Sequence, residues 1–265
     1  MQIKREKNSH KGSNGVVLVI GGSELYTGAP ALSALAALNV GCDLAYIAAP
    51  RRAADICAKF SPDLITIPLT GTYFKKEHLA KLAQWVKKAD ALVIGPGLGR
   101  ESETILAVLD FVKTCKKPIV IDADALKAVA GHLEVLKTCK AVLTPHDREF
   151  EILSGTKPSE ANVKSFAKKH RVIVVKKGAV DIITNGSSVK LNSTGNEGMT
   201  VGGTGDVLTG VIAGLIAQKM VLYEAAELGA KVNGTAGDLC EAEKGYDYTA
   251  TDVIEKLAVA MKGAK

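Results

Sequence analysis

Short runs of aliphatic and β-branched residues alternate with longer segments of helical spacing along most of the chain, and few folds accommodate that alternation. Residues 16–20, 44–48, 64–68, 91–94, 118–121, 141–144 and 172–175 read as strands, each apolar without a polar-out alternation. A strand of that kind is buried on both faces, as in a parallel sheet covered by helices on either side. Between them, residues 29–40 open with Pro30 at a first-turn position and stop at Gly41, the asymmetry a helix favours. Residues 78–88 place Leu79, Leu82, Trp85 and Val86 on one face, and 101–113 and 159–169 behave alike. The spacing predicts an α/β fold with a mostly parallel central sheet, right-handed crossovers and helices on both faces. Two stretches depart from it. Residues 181–191 read as a hairpin turned at Asn185-Gly186, and the C-terminal third is nearly all helix, over 206–218, 222–243 and 249–261. No repeat or linker divides the 265 residues, so a single domain spanning 1–265 is expected.

In open sheets of this kind ligands lie beyond the carboxyl ends of the strands. Polar and Gly-rich signals collect there: Gly21-Gly22-Ser23, Gly95-Pro96-Gly97-Leu98-Gly99, Asp122-Ala123-Asp124, Pro145-His146-Asp147-Arg148-Glu149 and Lys176-Lys177-Gly178. One carboxylate of the Asp122/Asp124 pair is expected to orient substrate or hold Mg²⁺ through water, and the other to cap the next helix. If the strand continues, the two side chains point to opposite sides. His146 and Glu149 share metal-ligand types, but two residues make no metal site, and no metal ligands are assigned.

The segment Gly198-Met199-Thr200-Val201-Gly202-Gly203-Thr204-Gly205-Asp206-Val207-Leu208 carries the chemistry. Its glycines let consecutive backbone N–H groups converge, and the helix that follows adds its own unpaired N–H groups and positive dipole end. Together they form an anion hole suited to phosphate. A carboxylate beside phosphate is repelled by it, so Asp206 is better explained as a base for the group that attacks phosphorus. The plain alternative is a first-turn carboxylate interacting with free N–H groups. Neither G-x-x-x-x-G-K-[ST] nor G-x-G-x-x-G is present, which disfavours a Walker-type NTPase and a simple dinucleotide dehydrogenase.

Composition narrows the partners. The charge of +6 comes largely from dispersed lysine pairs without interleaved aromatics, which argues against nucleic acid and suits a small anionic substrate. Five cysteines with no C-x-x-C pair indicate reduced thiols. Residues 1–7 are polar, so neither a signal peptide nor a membrane span is expected, and the protein is expected to be cytoplasmic.

The motifs I-G-P-G-L-G (94–99), I-D-A-D-A-L (121–126), L-T-P-H (143–146) and G-M-x-x-G-G-T-G-D (198–206) occur together with Gly28-Ala29 and residues 177–181. In this order they resemble the ribokinase-like superfamily and, more narrowly, its ADP-dependent NAD(P)H-hydrate dehydratases. The likeness covers the dehydratase part of those relatives that also carry an epimerase domain. It implies a ribokinase-like fold and an enzyme that uses ADP (or ATP) with Mg²⁺ to restore NAD(P)H from the S epimer of hydrated NADH or NADPH, releasing AMP and phosphate. It implies Asp206 as catalytic base. Ala29, Gly97, Gly99, Asp124 and His146 would face the hydrated nicotinamide nucleotide. Lys177, Gly178, Ala179, Val180, Asp181, Asn196, Gly202, Gly203, Thr204 and Gly205 would face the adenine nucleotide. The resemblance also implies a homo-oligomer, a tetramer. Arg148 stands where the family has Gly, and Asp181 where it commonly has Thr or Ser. Two other readings share the motifs: a small-molecule kinase of the same superfamily, acting on a hydroxymethylpyrimidine, a hydroxyethylthiazole or a sugar, and a non-catalytic adenine nucleotide sensor.

Overall fold

Strand β1 (Val16–Ile20) is buried on both faces, and its two alternating side-chain sets feed two separate cores. Val17 and Val19 enter one, Leu18 and Ile20 the other. The computed structural model describes residues 5–264, so the first four residues of the polar N-terminal segment lie outside the described part. Seven strands are parallel: β1, β2 (Leu44–Pro50), β3 (Ile65–Leu69), β4 (Ala91–Ile94), β5 (Pro118–Ile121), β6 (Lys140–Leu143) and β7 (Ile173–Lys176). An antiparallel hairpin of β8 (Asp181–Thr184) and β9 (Val189–Asn192) extends the sheet, giving the order β3-β2-β1-β4-β5-β6-β7-β8-β9. The hairpin turns where expected, with Gly186 at φ +85° and the Asn185 side chain accepting from the Ser187 and Ser188 N–H groups.

The first core is closed by α1 (Ala29–Asn39), α2 (Arg51–Cys57), α8 (Thr204–Ala217), α9 (Leu222–Lys244) and α10 (Ala250–Gly263). The second is closed by α3 (His78–Lys88), α4 (Ser102–Thr114), α5 (Ala123–Val129), α6 (Asp147–Ser154) and α7 (Glu160–His170). Thus the α/β class, the mainly parallel sheet and the helical C-terminal third all hold. Boundaries of β3, β6 and β7 move by a residue from those read in the sequence. The short helix α2 was not foreseen and the bounds of α5 and α6 were not readable, since seven or eight residues are too few to establish a period of 3.6.

No described helix is long and apolar enough to cross a membrane. All five cysteines are buried and free. Helix α8 is almost entirely buried, and its small residues let neighbours approach closely. A Cβ at Gly210 would meet the Ser33 carbonyl oxygen of α1 at 2.0 Å, and one at Gly214 the Ala37 oxygen at 2.9 Å. Gly210→Ala is therefore expected to lose about 2 kcal/mol in urea unfolding despite alanine's higher helix propensity. Gly263→Ala, with open space at its Cβ, should leave the midpoint unchanged or raise it slightly.

Candidate active site

The chain runs β1, β2, β3 outward in one direction and then crosses back to place β4 on the other side of β1. Loops that leave β1 and β4 diverge there, and an open α/β sheet forms its crevice at that switch point. The loop ends are tied together: Gly22 N–H donates to the Pro96 carbonyl at 2.8 Å, Gly95 N–H to Ile20 at 3.2 Å and Asp122 N–H to Ile94 at 3.1 Å. Only glycine fits at 95, whose φ is +130° and whose Cβ would lie 1.8 Å from the Asp122 oxygen. Above these loops opens a cleft of about 1120 Å³, lined in part by Ala29, Gly97, Gly99, Asp124 and Asp206.

Helix α8 meets the cleft with its N-terminus. Gly203, at φ +101°, is the N-cap, and no side chain caps the helix. Among the described residues, none offers a backbone partner to the N–H groups from Gly202 to Asp206; Val207 is the next, and it donates to Gly203 at 3.0 Å. Five consecutive donors thus stand without backbone partners at the positive end of the helix dipole, with open space at Gly202. The Thr204 hydroxyl turns back onto the Met199 carbonyl at 2.7 Å and holds the turn. Asp206 sits in the first turn of α8. Its carbonyl accepts from the Ser33 hydroxyl and the Thr209 hydroxyl, both at 2.8 Å, so α1 pins its backbone.

The Asp206 carboxylate is half-buried among charges. Burial first, then the Asp122 carboxylate, pushes it up to about 7, against Lys177; Asp124 and Glu149 add to the rise. Asp122 is buried and paired: its carboxylate accepts from the Lys177 ammonium at 2.9 Å and the Thr144 hydroxyl at 2.8 Å. Burial pulls the Lys177 ammonium down, but Asp122, Glu149 and Asp206 more than reverse this and hold it charged. Lys177 Nζ lies 3.3 Å from where a Gly205 Cβ would stand, directly beneath the cradle.

Two expectations about the Asp122/Asp124 pair need correction. The strand does not continue past Asp122, because Ala123 turns to φ +51° and starts α5. Neither carboxylate makes a side-chain cap on α5. Asp122 goes inward to Lys177, whereas Asp124 takes the Gly99 N–H at 3.1 Å, Arg100 at 3.2 Å and Lys127 at 3.1 Å on the cleft wall.

Residues expected on the nucleotide side divide. Gly202, Gly203, Thr204 and Gly205 form the cradle. Lys177 sends its side chain under it, while Gly178, Ala179 and Val180 form an exposed turn between β7 and β8. Asp181 faces inward, accepting from Gly178 N–H at 3.0 Å and the Asn192 amide at 2.9 Å, so its carboxylate shapes the turn. Asn196 likewise spends its side-chain oxygen on Gly198 N–H at 3.0 Å and Tyr248 at 2.6 Å. His146 caps α6 in a reciprocal box: its Nδ1 accepts from Glu149 N–H at 3.2 Å, and Glu149 accepts from His146 N–H at 3.1 Å. Glu149 is the acid of that box, and Arg148 fits the same helical turn where the family has Gly. The His146 ring stays exposed and does not line the cleft. No group of three or more His, Cys, Asp or Glu side chains among the described residues is placed to hold a metal ion.

Sequence reading pointed to Ser23 but missed much of the remaining lining: Glu24, Leu25, Tyr26, Arg52, Thr72, Tyr73, Arg100, Glu101 and Lys127. Ser33, which braces Asp206, was also missed. Its signal was a lone hydroxyl in an otherwise apolar helix.

The model of the NAD(P)H-hydrate dehydratase family matches residues 17–258. The chain belongs to that family. It is 44% identical to a bifunctional NAD(P)H-hydrate repair enzyme of Pyrobaculum aerophilum, over 97% of this chain and 52% of that protein. It is 37% identical to an ADP-dependent (S)-NAD(P)H-hydrate dehydratase of Cenarchaeum symbiosum, over 97% of this chain and 92% of the relative. The chain spans about half the length of the bifunctional relatives it matches. The ADP/ATP-dependent NAD(P)H-hydrate dehydratase of Bacillus subtilis, crystallised with ATP and Mg²⁺, superposes with a TM-score of 0.82. That match is 25% identical and covers 99% of this chain and 94% of that one. The sheet and helix layers are those of the ribokinase-like fold that the motifs implied.

Carbon-detected NMR of the Asp206 carboxyl is expected to titrate with a midpoint near 7, and Asp122→Asn should lower it by removing a neighbouring negative charge. Because the folded value lies above the unfolded one, ionising Asp206 costs stability; the cost is full above about 7 and absent below the unfolded value of 3.8. Asp206→Asn should therefore raise the melting temperature by about 5 °C at pH 8 and leave it unchanged below pH 3.8.

Proposed function

We propose that the cleft carries out nucleotide-dependent dehydration of hydrated NADH or NADPH. The observation that carries this reading is a half-buried carboxylate, Asp206, on the wall of the cleft next to five unpartnered backbone N–H groups. Family membership and the Cenarchaeum relative support the substrate class, and ADP is the expected co-substrate, with ATP as the alternative.

In the hydrate, a hydroxyl on C6 of the nicotinamide ring is a poor leaving group, and its phosphate ester is a good one. With the ring over Ala29 and Gly97, Asp206 takes the C6 hydroxyl proton as that oxygen attacks the β-phosphorus of ADP. The new P–O bond forms as the bond to AMP breaks. N–H groups from Gly202 to Asp206 receive the charge that gathers on the phosphoryl oxygens, and the Lys177 ammonium beneath adds to the field. The ring-nitrogen electron pair then expels phosphate from C6, C5 loses a proton, and the dihydronicotinamide returns.

The nucleotide's Mg²⁺ would neutralise phosphate charge. The acidic surroundings of Asp206 suit a cation brought in on phosphates, since Asp124 and Glu149 lie near enough to act on its charge. Residues 177–181, with the exposed turn at Gly178, Ala179 and Val180, would pass along the adenosine. Gly99 and Asp124 hold the cleft wall in shape. A cytoplasmic homo-oligomer fits this reading.

Hydrated NADPH and ADP should regain absorbance at the dihydronicotinamide band with the wild-type protein and yield free phosphate. Asp206→Asn should lose at least about three orders of magnitude in turnover while still binding ADP in calorimetry. A stable phosphomonoester product would identify a kinase instead, and ADP binding without turnover would identify a sensor. With Asp206 as base, kcat/KM should fall below pH about 7.

A further inference from the structure

The cleft extends well past the reacting ring. Its lining comes from the carboxyl ends of five adjacent strands: Asp124 after β5, Gly97 after β4, Ser23 after β1, Arg52 after β2, and Thr72 after β3. At the usual strand spacing the trough therefore runs on the order of 20 Å across the sheet. Arg52 and Thr72 also line a neighbouring hollow of about 640 Å³ with Arg51, Thr70 and Gly71, which Asp206 does not line. The far end of the trough thus lies away from the base.

Charge differs between the two ends. Near the base, Arg100 and Lys127 are both committed to Asp124, at 3.2 and 3.1 Å. At the far end, the Arg52 guanidinium donates only to the Glu24 backbone oxygen. Among the described residues no carboxylate lies within 4.0 Å of Arg51 or Arg52, although Asp55 and Glu24 line the same hollows. An arginine with spare donors in a cleft suits phosphate. Between the two ends, Leu25 and Tyr26 are 77% and 54% exposed. Their loop is fixed by Ser23, whose N–H donates to Tyr26 at 3.1 Å, and by the packing of Tyr26 on Gly97. That loop holds an apolar surface over the trough on which a flat ring can lie.

We propose that the trough beyond β2 and β3 binds the unreactive half of the dinucleotide, with Arg52, assisted by Arg51 and Thr72, on its phosphate oxygens. The inference rests on the dehydratase reading. The oxygens belong either to the diphosphate bridge or to the 2′-phosphate of NADPH, and the two substrates distinguish these sources.

Arg52→Gln is expected to raise KM for the dinucleotide about tenfold, with kcat little changed and KM for ADP unaltered. A rise for both hydrates assigns the diphosphate, and a rise for hydrated NADPH alone assigns the 2′-phosphate. Arg52→Lys, which keeps charge but loses the two-pronged donor, should recover part of the loss. An unchanged KM for both hydrates, or a rise in KM for ADP instead, overturns the proposal. Should the wild type leave both hydrates untouched, the dehydratase reading fails. Calorimetry with NADPH itself then decides the subsite: about tenfold weaker binding by Arg52→Gln sustains it, and equal binding overturns it.

Discussion

The close seating of α8 on α1 is the constraint on which the site depends. Gly210 and Gly214 let the helices approach until Ser33 and Ala37 backbone atoms occupy the space a side chain would need. At that distance the buried Ser33 hydroxyl reaches the Asp206 carbonyl. The contact does more than pack a core. It fixes the first turn of α8, and with it both the unpartnered N–H groups and the carboxylate beside them. On its other side α8 is held by α9, where Gly229 packs against Ile212. A carboxylate on a flexible loop would have to be ordered before it could act; here packing of small residues has already ordered Asp206.

Electrostatics then sets the proton affinity of that carboxylate. Asp206 shares its surroundings with Asp122, Asp124 and Glu149, and one cation, Lys177, lies beneath the cradle. An isolated carboxylate in water is a weak base at neutral pH. Burial among like charges raises its proton affinity to the range where it can accept a proton and later release it. Lys177 limits the effect, since without it the acidic groups would favour the neutral form further. The arrangement costs stability and gains reactivity, as is common where function requires a strained charge distribution.

Much of this architecture was legible in the residues. Apolar runs such as Val16–Ile20 require cover on both faces, and Asn185-Gly186 requires a turn. The pattern of residues 198–208 announced an anion cradle with a carboxylate inside it. Helix α2 and the extents of α5 and α6 were not legible, because each is shorter than the stretch over which helical period shows. The fate of Asp122 was hidden too. Its partners Lys177 and Thr144 come from strands far along the chain, and only the pairing of β5, β6 and β7 brings them together. The side-chain oxygens of Asn196 and Asp181 also accept from nearby N–H groups, contacts that residue type alone does not reveal.

The sequence by itself determined the class of fold, the carboxyl-end location of the cleft and the Gly-rich turn that carries Asp206, because periodicity and glycine placement act over a few neighbouring residues. Only the tertiary structure decided which side chains share the base's charge field and which wall completes the cleft. Tyr26 and Thr72 lie on loops and Arg52 in the first turn of α2, each after a different one of three strands that are adjacent in the sheet. Coulomb interactions and cavity walls depend on distance in space, and sheet order rather than chain order sets that distance.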